Sequence, residues 1–481
     1  MRLDTLVAAA REQLGEEVAR IVGPGTVEIG AVTHDSREVV PGTLFACVPG
    51  RRTDGHDLAG AAVSSGAVAL VVEHRVAVDV PQVVVGSVRA ALGPLADAFW
   101  NHPSRRLVVV GVTGTNGKTT TVSLLAAILE RHGWPTATIG TLTQARTTPE
   151  APQLQARLAS LADRGVSAVA MEVSSHALDQ HRVDAVRFAA GVLTNVTQDH
   201  LDYHQTMDAY FEAKARLLEP GRAGVAVING DDPWGRRLID RLAAAGHPAV
   251  TWQMSDATGI ELRASGSRFV WQGRPIDLRL PGAFNVANAL AAATCARALG
   301  VSASAIAGGL SSVVQVPGRF ETVDAGQPFT VLVDYAHTPD GLGQALSAAR
   351  QLTRGRLIVV FGAGGDRDQA KRPQMGEVAA RVADLVVLTS DNPRGEDPQA
   401  IIDAVFAGAA GPGHVLEVPD RSDAIRTALG VAGDDDIVVI AGKGHEKGQE
   451  IAGRILPFDD ADEARRHLER IVRSRLGRDD Q

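Results

Sequence analysis

Cysteine is almost missing from this chain: Cys47 and Cys295 stand far apart, with no Cys-x-x-Cys or Cys/His spacing beside either. Neither a disulfide scaffold nor a zinc site is encoded, and a reducing compartment, the cytoplasm, is expected. Long apolar runs are missing too. Nothing approaches the roughly 18 residues of a membrane span, and the stretch Leu6 to Ala10 runs at once into Arg11, Glu12, Glu16 and Glu17, leaving no signal-peptide core. No membrane insertion is expected. Excess positive charge is also lacking: 48 Lys and Arg against 56 Asp and Glu leave a net charge of −8. That balance works against nucleic acid as a partner and requires a local site for any anionic ligand. Aromatic residues are only 4% of the chain.

What is present is an ordinary globular balance, 45% hydrophobic and 22% charged over 481 residues. At about 150 residues per domain, that length predicts three domains. Residues 1–105 alternate short strand-like segments (Ala67 to Val72, Val83 to Val85) with turns, and Asn101-His102-Pro103-Ser104 breaks the pattern. In residues 106–316, apolar runs at Leu107 to Val112, Ser167 to Val173, Phe188 to Leu193 and Val225 to Ile228 alternate with helical stretches, as in a parallel sheet with crossover helices. Residues 317–481 follow Val316-Pro317-Gly318-Arg319 and repeat the alternation, with strands at Thr330 to Val333, Leu357 to Phe361, Leu385 to Leu388 and Ile437 to Ile440. The expected fold is α/β throughout: a small N-terminal domain, a central parallel-sheet domain and a C-terminal Rossmann-like domain.

Between the first central strand and a helix running to His132 lies Gly114-Thr115-Asn116-Gly117-Lys118-Thr119-Thr120. In that context a glycine-rich segment reads as a phosphate loop: backbone N–H groups, the helix N-terminus and the Lys118 ammonium converge on phosphates, and Thr119 offers a hydroxyl to Mg²⁺. Position 112 is Val where the strict GxxxxGK[ST] pattern has Gly. Glu172, at the end of a strand one crossover away, is placed to hold Mg²⁺, and His200 to add an imidazole. His204 reads as a surface or core-capping histidine; Leu201 stands where a zinc peptidase HExxH motif needs its glutamate. Lys214 shares a helical stripe with Met207, Tyr210, Phe211, Leu217 and Leu218. Two readings follow: a lysine that snorkels to water, or a buried, deprotonated amine that takes up CO₂ as a carbamate.

The loop TGTNGKTT resembles that of the Mur ligase family. Further segments resemble the family in its order: Glu172-Val-Ser-Ser-His176, Thr194-Asn-Val-Thr-Gln-Asp-His200, Pro317-Gly-Arg-Phe-Glu321, Asp334-Tyr-Ala-His337 and Gly364-Gly-Asp-Arg367. Asp391-Asn-Pro-Arg394 and Gly442-Lys-Gly-His-Glu446 look like the amino-acid-binding motifs of members that add the third residue of the peptidoglycan stem peptide. The resemblance implies a cytoplasmic, monomeric ATP-dependent amide ligase with small-molecule substrates, working through an acyl phosphate. It implies ATP contacts from Asn285, Arg319, Asp334 and His337 as well as the loop, with Lys118, His200 and Lys214 catalytic. Mg²⁺ would be held by Thr119, Glu172, His200 and Lys214, the last as N6-carboxylysine. For UDP-N-acetylmuramoyl-dipeptide it implies His34, Ser36, Arg51, Arg52 and Thr53 in the first domain. In the second it implies Thr147, Thr148, Ser174, Gln180 and Arg182, with Arg146 standing where relatives can carry Asn.

For the incoming amino acid the implied residues are Arg367, Asp391, Asn392, Pro393, Arg394, Gly442 and Glu446, all just past the carboxyl ends of strands, where open α/β sheets bind ligands. meso-Diaminopimelate carries a second amino-acid end, so Arg394 and Arg367 suit its extra carboxylate and Glu446 its extra ammonium. Three rivals share part of this pattern: a lysine-adding or folate-polyglutamylating relative, a non-catalytic nucleotide switch, and a metal-binding protein built on His200 and His204.

Overall fold

The computed structural model describes residues 1–14, 20–50, 53–144, 146–247 and 249–479. Three sheets organise them. In the first, strands Arg20–Val22, Gln82–Val84, Ala67–Val72, Thr43–Ala46 and Ala31–Thr33 lie in that order, parallel except for the antiparallel first pair. Helices Leu3–Leu14 and Val88–Phe99 cover one face through Leu3, Leu6, Leu92 and Leu95, none more than 4% exposed. Each such aliphatic side chain contributes about 1.5–3 kcal/mol by leaving water.

The central sheet is wholly parallel, in the order Val250–Trp252, Ala223–Asn229, Phe188–Leu193, Val108–Thr113, Ala168–Glu172, Thr136–Ile139. Its middle strands are buried on both faces, which is why they read as unbroken apolar runs. Helices Lys118–His132 and Ala283–Ala298 pack on one face; Ala151–Asp163 and Met207–Ala215 pack on the other. The helix predicted to end before Gly133 does so, with that glycine at φ +97°. A three-stranded antiparallel sheet, Ala257–Arg263, Gly266–Trp271 and Arg274–Leu278, was not expected. Phe269, Trp271, Ile276 and Leu278 line its buried face, while Arg268, Arg274 and Asp277 face water. Such half-exposed strands give a weaker signal than the buried runs beside them.

The third sheet runs Glu321–Thr322, Thr330–Asp334, Ile437–Ala441, Leu357–Phe361, Leu385–Leu388, His414–Glu417, five parallel strands with an antiparallel edge. Below its carboxyl edge Arg421 and Asp460, both fully buried, pair at 2.7 Å, and the guanidinium also donates to Ser390 O and Ala441 O. It thereby ties together the ends of two strands whose following loops form part of the site. Both cysteines are free and buried. Among the described residues no helix is long and apolar enough to cross a membrane.

Candidate active site

The phosphate loop leaves strand Val108–Thr113 and enters helix Lys118–His132 through Gly117, at φ +84°. Gly114 has φ +148°, and a Cβ there would lie 1.9 Å from Thr194 Oγ1. Only glycine lets the loop lie this close to the neighbouring strand's end. Thr194 Oγ1 donates to Asn116 O (2.6 Å), and Asn116 N donates to Asn195 Oδ1 (3.0 Å). Lys118 Nζ folds back onto the loop, donating to Gly114 O (2.9 Å) and Thr115 O (2.8 Å). Desolvation holds its pKa below the usual lysine value. Thr115 pairs with Tyr210 OH, and Thr119 and Thr120 are buried in the first helical turn.

Glu172, 2% exposed, stands beside this loop. Oε1 accepts from Thr141 N (2.9 Å) and Thr141 Oγ1 (2.8 Å), and Oε2 from Thr119 Oγ1 (3.0 Å). This carboxylate takes only neutral hydrogen-bond donors, although the Lys118 ammonium is close enough to interact with its charge. With the two threonine hydroxyls it forms the hard-oxygen set that suits Mg²⁺. Among the described residues no three His, Cys, Asp or Glu side chains are grouped to cage a metal. A cation here would therefore complete its shell with water or phosphate oxygens, as Mg²⁺ commonly does.

Lys214 does lie inward, at 2% exposure. Its Nζ donates to Gly114 O (2.7 Å), the carbonyl that also receives Lys118, and sits 4.4 Å from the Tyr210 ring centroid. Burial first, and the Lys118 charge second, push its pKa well below the usual lysine value. That shift is toward the neutral amine, the form that adds CO₂. His200 lines the same cavity, and burial lowers its pKa to about 4, so it is a neutral imidazole at physiological pH. His204 is buried and bonds Ser175 Oγ through Nε2 (3.0 Å), a core-capping histidine.

The C-terminal domain completes this cavity of about 240 Å³. Arg319 Nη2 reaches across to Thr119 Oγ1 (2.9 Å), and its guanidinium lies over Tyr335. Asp334 accepts from Phe320 N (2.7 Å) and Ala336 N (2.8 Å), which aims the turn carrying Tyr335 and His337 at the phosphate loop. His337 Nδ1 bonds Tyr335 O. Asn285 is fully buried, bonded to Pro281 O and Asn288; Asn288 is the one of the two that lines the cavity. Asp340 was not anticipated. Its Oδ2 accepts from Asn116 Nδ2 (2.8 Å) and Thr197 Oγ1 (2.8 Å) of the central domain, and from Gln344 of its own helix (3.0 Å).

Beside Glu172, Thr148 Oγ1 donates to Glu172 O (2.9 Å) and accepts from Ser174 N (3.1 Å). Arg182 donates to Thr148 O and Gln180 Oε1 and pairs with Glu150, which also holds Arg146. Of the residues expected at the dipeptide, Thr147 and Ser174 line the phosphate-loop cavity. His34, half-buried with an unpaired Nδ1, faces the same Glu150 and Arg146, so the first domain meets the second here. Ser36 is half-buried nearby in sequence, Thr53 is exposed, and Arg51 and Arg52 lie outside the described residues.

A second cavity, of about 880 Å³, includes Asn392, Arg394, Glu446 and Glu450 and shares Thr141, Thr147 and Tyr335 with the first. Arg394, at φ +51°, is gripped by backbone bonds to Glu450 O and from Ala452 N. Its guanidinium donates to Gly365 O (2.7 Å) and pairs with Glu450 (3.2 Å). Pro393 packs on Gly365, where a Cβ would fall 1.9 Å from Pro393 O. Asp391 is buried, Gly442 has φ +113°, and Arg367 remains exposed.

Two cavities with a common wall, one built on a phosphate loop, define a nucleotide-dependent group-transfer enzyme. Residues 28–100, 112–296 and 318–444 match the family models described as Mur ligase family, catalytic domain; Mur ligase middle domain; and Mur ligase, glutamate ligase domain. The chain belongs to the Mur ligase family, whose members are ATP-dependent ligases. Among its relatives is UDP-N-acetylmuramoyl-L-alanyl-D-glutamate--2,6-diaminopimelate ligase of Geobacillus kaustophilus (strain HTA426), 46% identical, with 92% of this chain and 95% of the relative covered. The protein so named in Streptomyces coelicolor (strain ATCC BAA-471 / A3(2) / M145) is 43% identical over 93% of this chain and 94% of its own length. A solved structure of a ligase of that name superposes with a TM-score of 0.67 at 33% identity, covering 96% of this chain and 99% of the other.

Proposed function

We propose that the chain joins meso-2,6-diaminopimelate to UDP-N-acetylmuramoyl-L-alanyl-D-glutamate with hydrolysis of ATP to ADP and phosphate, as a monomer in cytoplasmic peptidoglycan precursor synthesis. The observation that carries this reading is the shared wall of Thr141, Thr147 and Tyr335, which puts a site with Arg394, Asn392 and Glu446 directly against the phosphate-loop cavity. Tasks divide along the chain: residues 1–105 hold the UDP end through His34, Ser36, Arg51, Arg52 and Thr53, residues 106–316 hold ATP, and residues 317–481 hold the amino acid.

The D-glutamyl γ-carboxylate attacks the γ-phosphorus of ATP; a P–O bond to it forms as the bond to ADP breaks. Arg182, with Thr148, Ser174 and Gln180, orients the muramoyl dipeptide. Lys118 exchanges its two loop carbonyls for phosphate oxygens, and Arg319, already at Thr119, adds a second cation from the closing domain. Phosphoryl transfer needs this positioning and charge more than covalent help. Thr119, Glu172, His200 and carbamylated Lys214 would hold Mg²⁺, which would supply neutralisation of the phosphate charge. Lys214 is suited to carbamylation because burial favours its neutral amine: N–C bond formation with CO₂ releases one proton and converts a base into an anion. Arg394 and Arg367 then hold the diaminopimelate carboxylates and Glu446 an ammonium, while the free amine attacks the acyl phosphate and phosphate leaves.

Phosphate release measured with UDP-N-acetylmuramoyl-L-Ala-D-Glu and ATP tests this. Turnover should follow meso-diaminopimelate, with little from L-lysine. No release above the no-amino-acid control with either would overturn the proposal.

A further inference from the structure

Lys443 is one of the largest side chains with no exposure at all, and nothing in the proposed chemistry uses it. It follows strand Ile437–Ala441 between Gly442 (φ +113°) and Gly444 (φ +54°). A Cβ on Gly444 would fall 2.7 Å from Tyr335 Cβ and 2.8 Å from Gly318 O, so the loop is pressed against the strand turn beside it. That turns the lysine inward. Its Nζ lies 3.0 Å from Asn392 Oδ1, 3.2 Å from Glu446 Oε2 and 3.6 Å from Asp391 Oδ1. The ammonium thus donates to two oxygens, one from each of two segments that line the second cavity, and the Asp391 carboxylate stands within ion-pair distance.

The arrangement fixes more than charge. Asn392 Oδ1 also accepts from Glu450 N (2.9 Å), so its amide can face only one way, and Nδ2 donates to Glu446 Oε2 (2.8 Å). Glu446 therefore receives two donors on Oε2. Among the described residues Oε1 takes no hydrogen bond, and the side chain, about a third exposed, borders the cavity. One oxygen is pinned and the other is presented.

Resting on the proposed diaminopimelate site, we propose that Lys443 is a positioning residue that sets the Asn392 amide and aims the Glu446 carboxylate at the ammonium of the incoming amino acid. Without it, Asn392 Oδ1 and Glu446 Oε2 each lose one of their two donors, so the amide is held less firmly and Glu446 is freer to turn to water. The defect belongs to the amino acid and not to ATP.

Steady-state phosphate release by the full-length enzyme tests this with Lys443→Met, which keeps the length of the side chain, and Lys443→Gln, which restores one N–H donor. For Lys443→Met the KM for meso-diaminopimelate should rise at least tenfold, with the KM values for ATP and the muramoyl dipeptide within twofold; Lys443→Gln should recover part of the loss. Parallel rises in all three KM values, or a lower Tm with an unchanged KM for diaminopimelate, would make the residue merely structural and overturn the proposal. If Lys443→Met does not fold, the same comparison on Lys443→Gln decides, with a threefold rise confined to diaminopimelate as the threshold. Wild-type enzyme without diaminopimelate-dependent turnover would instead overturn the function, a separate outcome.

Discussion

Asp340 is the sharpest test of how the two larger domains cooperate. It begins helix Pro339–Leu352 of the third domain, yet its Oδ2 accepts from Asn116 in the phosphate loop and Thr197 in the following loop, each at 2.8 Å. Hydrogen bonds to a charged group contribute about 1.5–3 kcal/mol each. Because Asp340 is only half-buried, solvent screening discounts each to about 1–1.5 kcal/mol. Removing both bonds in Asp340→Ala should then cost the closed arrangement about 2–3 kcal/mol, a loss of roughly 30- to 150-fold in kcat/KM at 1.36 kcal/mol per decade. Asp340→Asn keeps one acceptor oxygen but no charge, which leaves about half the energy and a loss of roughly 5- to 12-fold. The assay is coupled phosphate release, with small-angle scattering of the ATP-bound enzyme reporting closure as a smaller radius of gyration. A kcat/KM within threefold of wild type for Asp340→Ala, or equal losses for the Ala and Asn variants, would refute the reasoning.

Gly117→Ala places a Cβ 2.2 Å from Asn288 Oδ1 at φ +84°; with about 1–2 kcal/mol of backbone cost alone, ATP affinity measured by calorimetry should fall at least tenfold. Lys214→Ala should lose nearly all turnover and regain part of it when short-chain carboxylates are added, whereas Lys214→Arg, which cannot form a carbamate, should stay inactive; full activity in either variant would remove the carbamate from the mechanism. Arg394→Ala should raise the KM for diaminopimelate at least tenfold and leave that for ATP unchanged; equal effects on both would count against its assignment. Glu396 takes a bidentate bond from the buried Arg372 (2.8 and 2.9 Å), and that bond, with one from Asp366 N, lowers its pKa from the usual 4.5. A lowered carboxylate pKa stabilises the fold above pH 4.5, and that stability is lost as the pH falls through the folded value. Melting temperatures from pH 3 to 7 should therefore show a shallower acid limb for Glu396→Gln than for wild type.

What could be read from sequence divides along a physical line. The buried strands were legible because parallel sheets covered on both faces demand unbroken runs such as Phe188–Leu193 and Leu357–Phe361, whose ends match expectation. The phosphate loop was legible because glycine at φ +84° and +148° is a local necessity. Lys214 was legible only in part: its place in an apolar helical stripe left a snorkelling and an inward lysine both open, and its 2% exposure decides for the second. The half-exposed sheet of residues 257–278 was missed because charges on one face dilute its pattern. Thr141 and Asp340 gave no signal, and Lys443 none beyond its place in the segment Gly442-Lys-Gly-His-Glu446: an ordinary threonine after a strand, an acid at a helix start and a lysine between glycines acquire meaning only when segments far apart in sequence meet. Asp340 and Asn116 are 224 residues apart, and Lys443 and Asn392 are 51 apart.

The meeting of segments also has a chemical consequence. An acyl phosphate hydrolyses if water reaches it before the amine does, so the two half-reactions must share an enclosure. Thr141 and Thr147 of the central domain and Tyr335 of the third border both cavities, and Tyr335 is held beneath the Arg319 guanidinium that touches Thr119. In the proposed reaction, the contact that would bring a second cation to the phosphates is therefore also the one that sets the wall between the two cavities. Opening the domains would withdraw Arg319 and Tyr335 together, removing phosphoryl-transfer assistance at the moment the intermediate would be exposed. Local Arg, Lys and helix-terminus charges accomplish this in a chain of net charge −8, because the fields that matter act over a few ångströms inside a water-poor site, where the average surface charge contributes little.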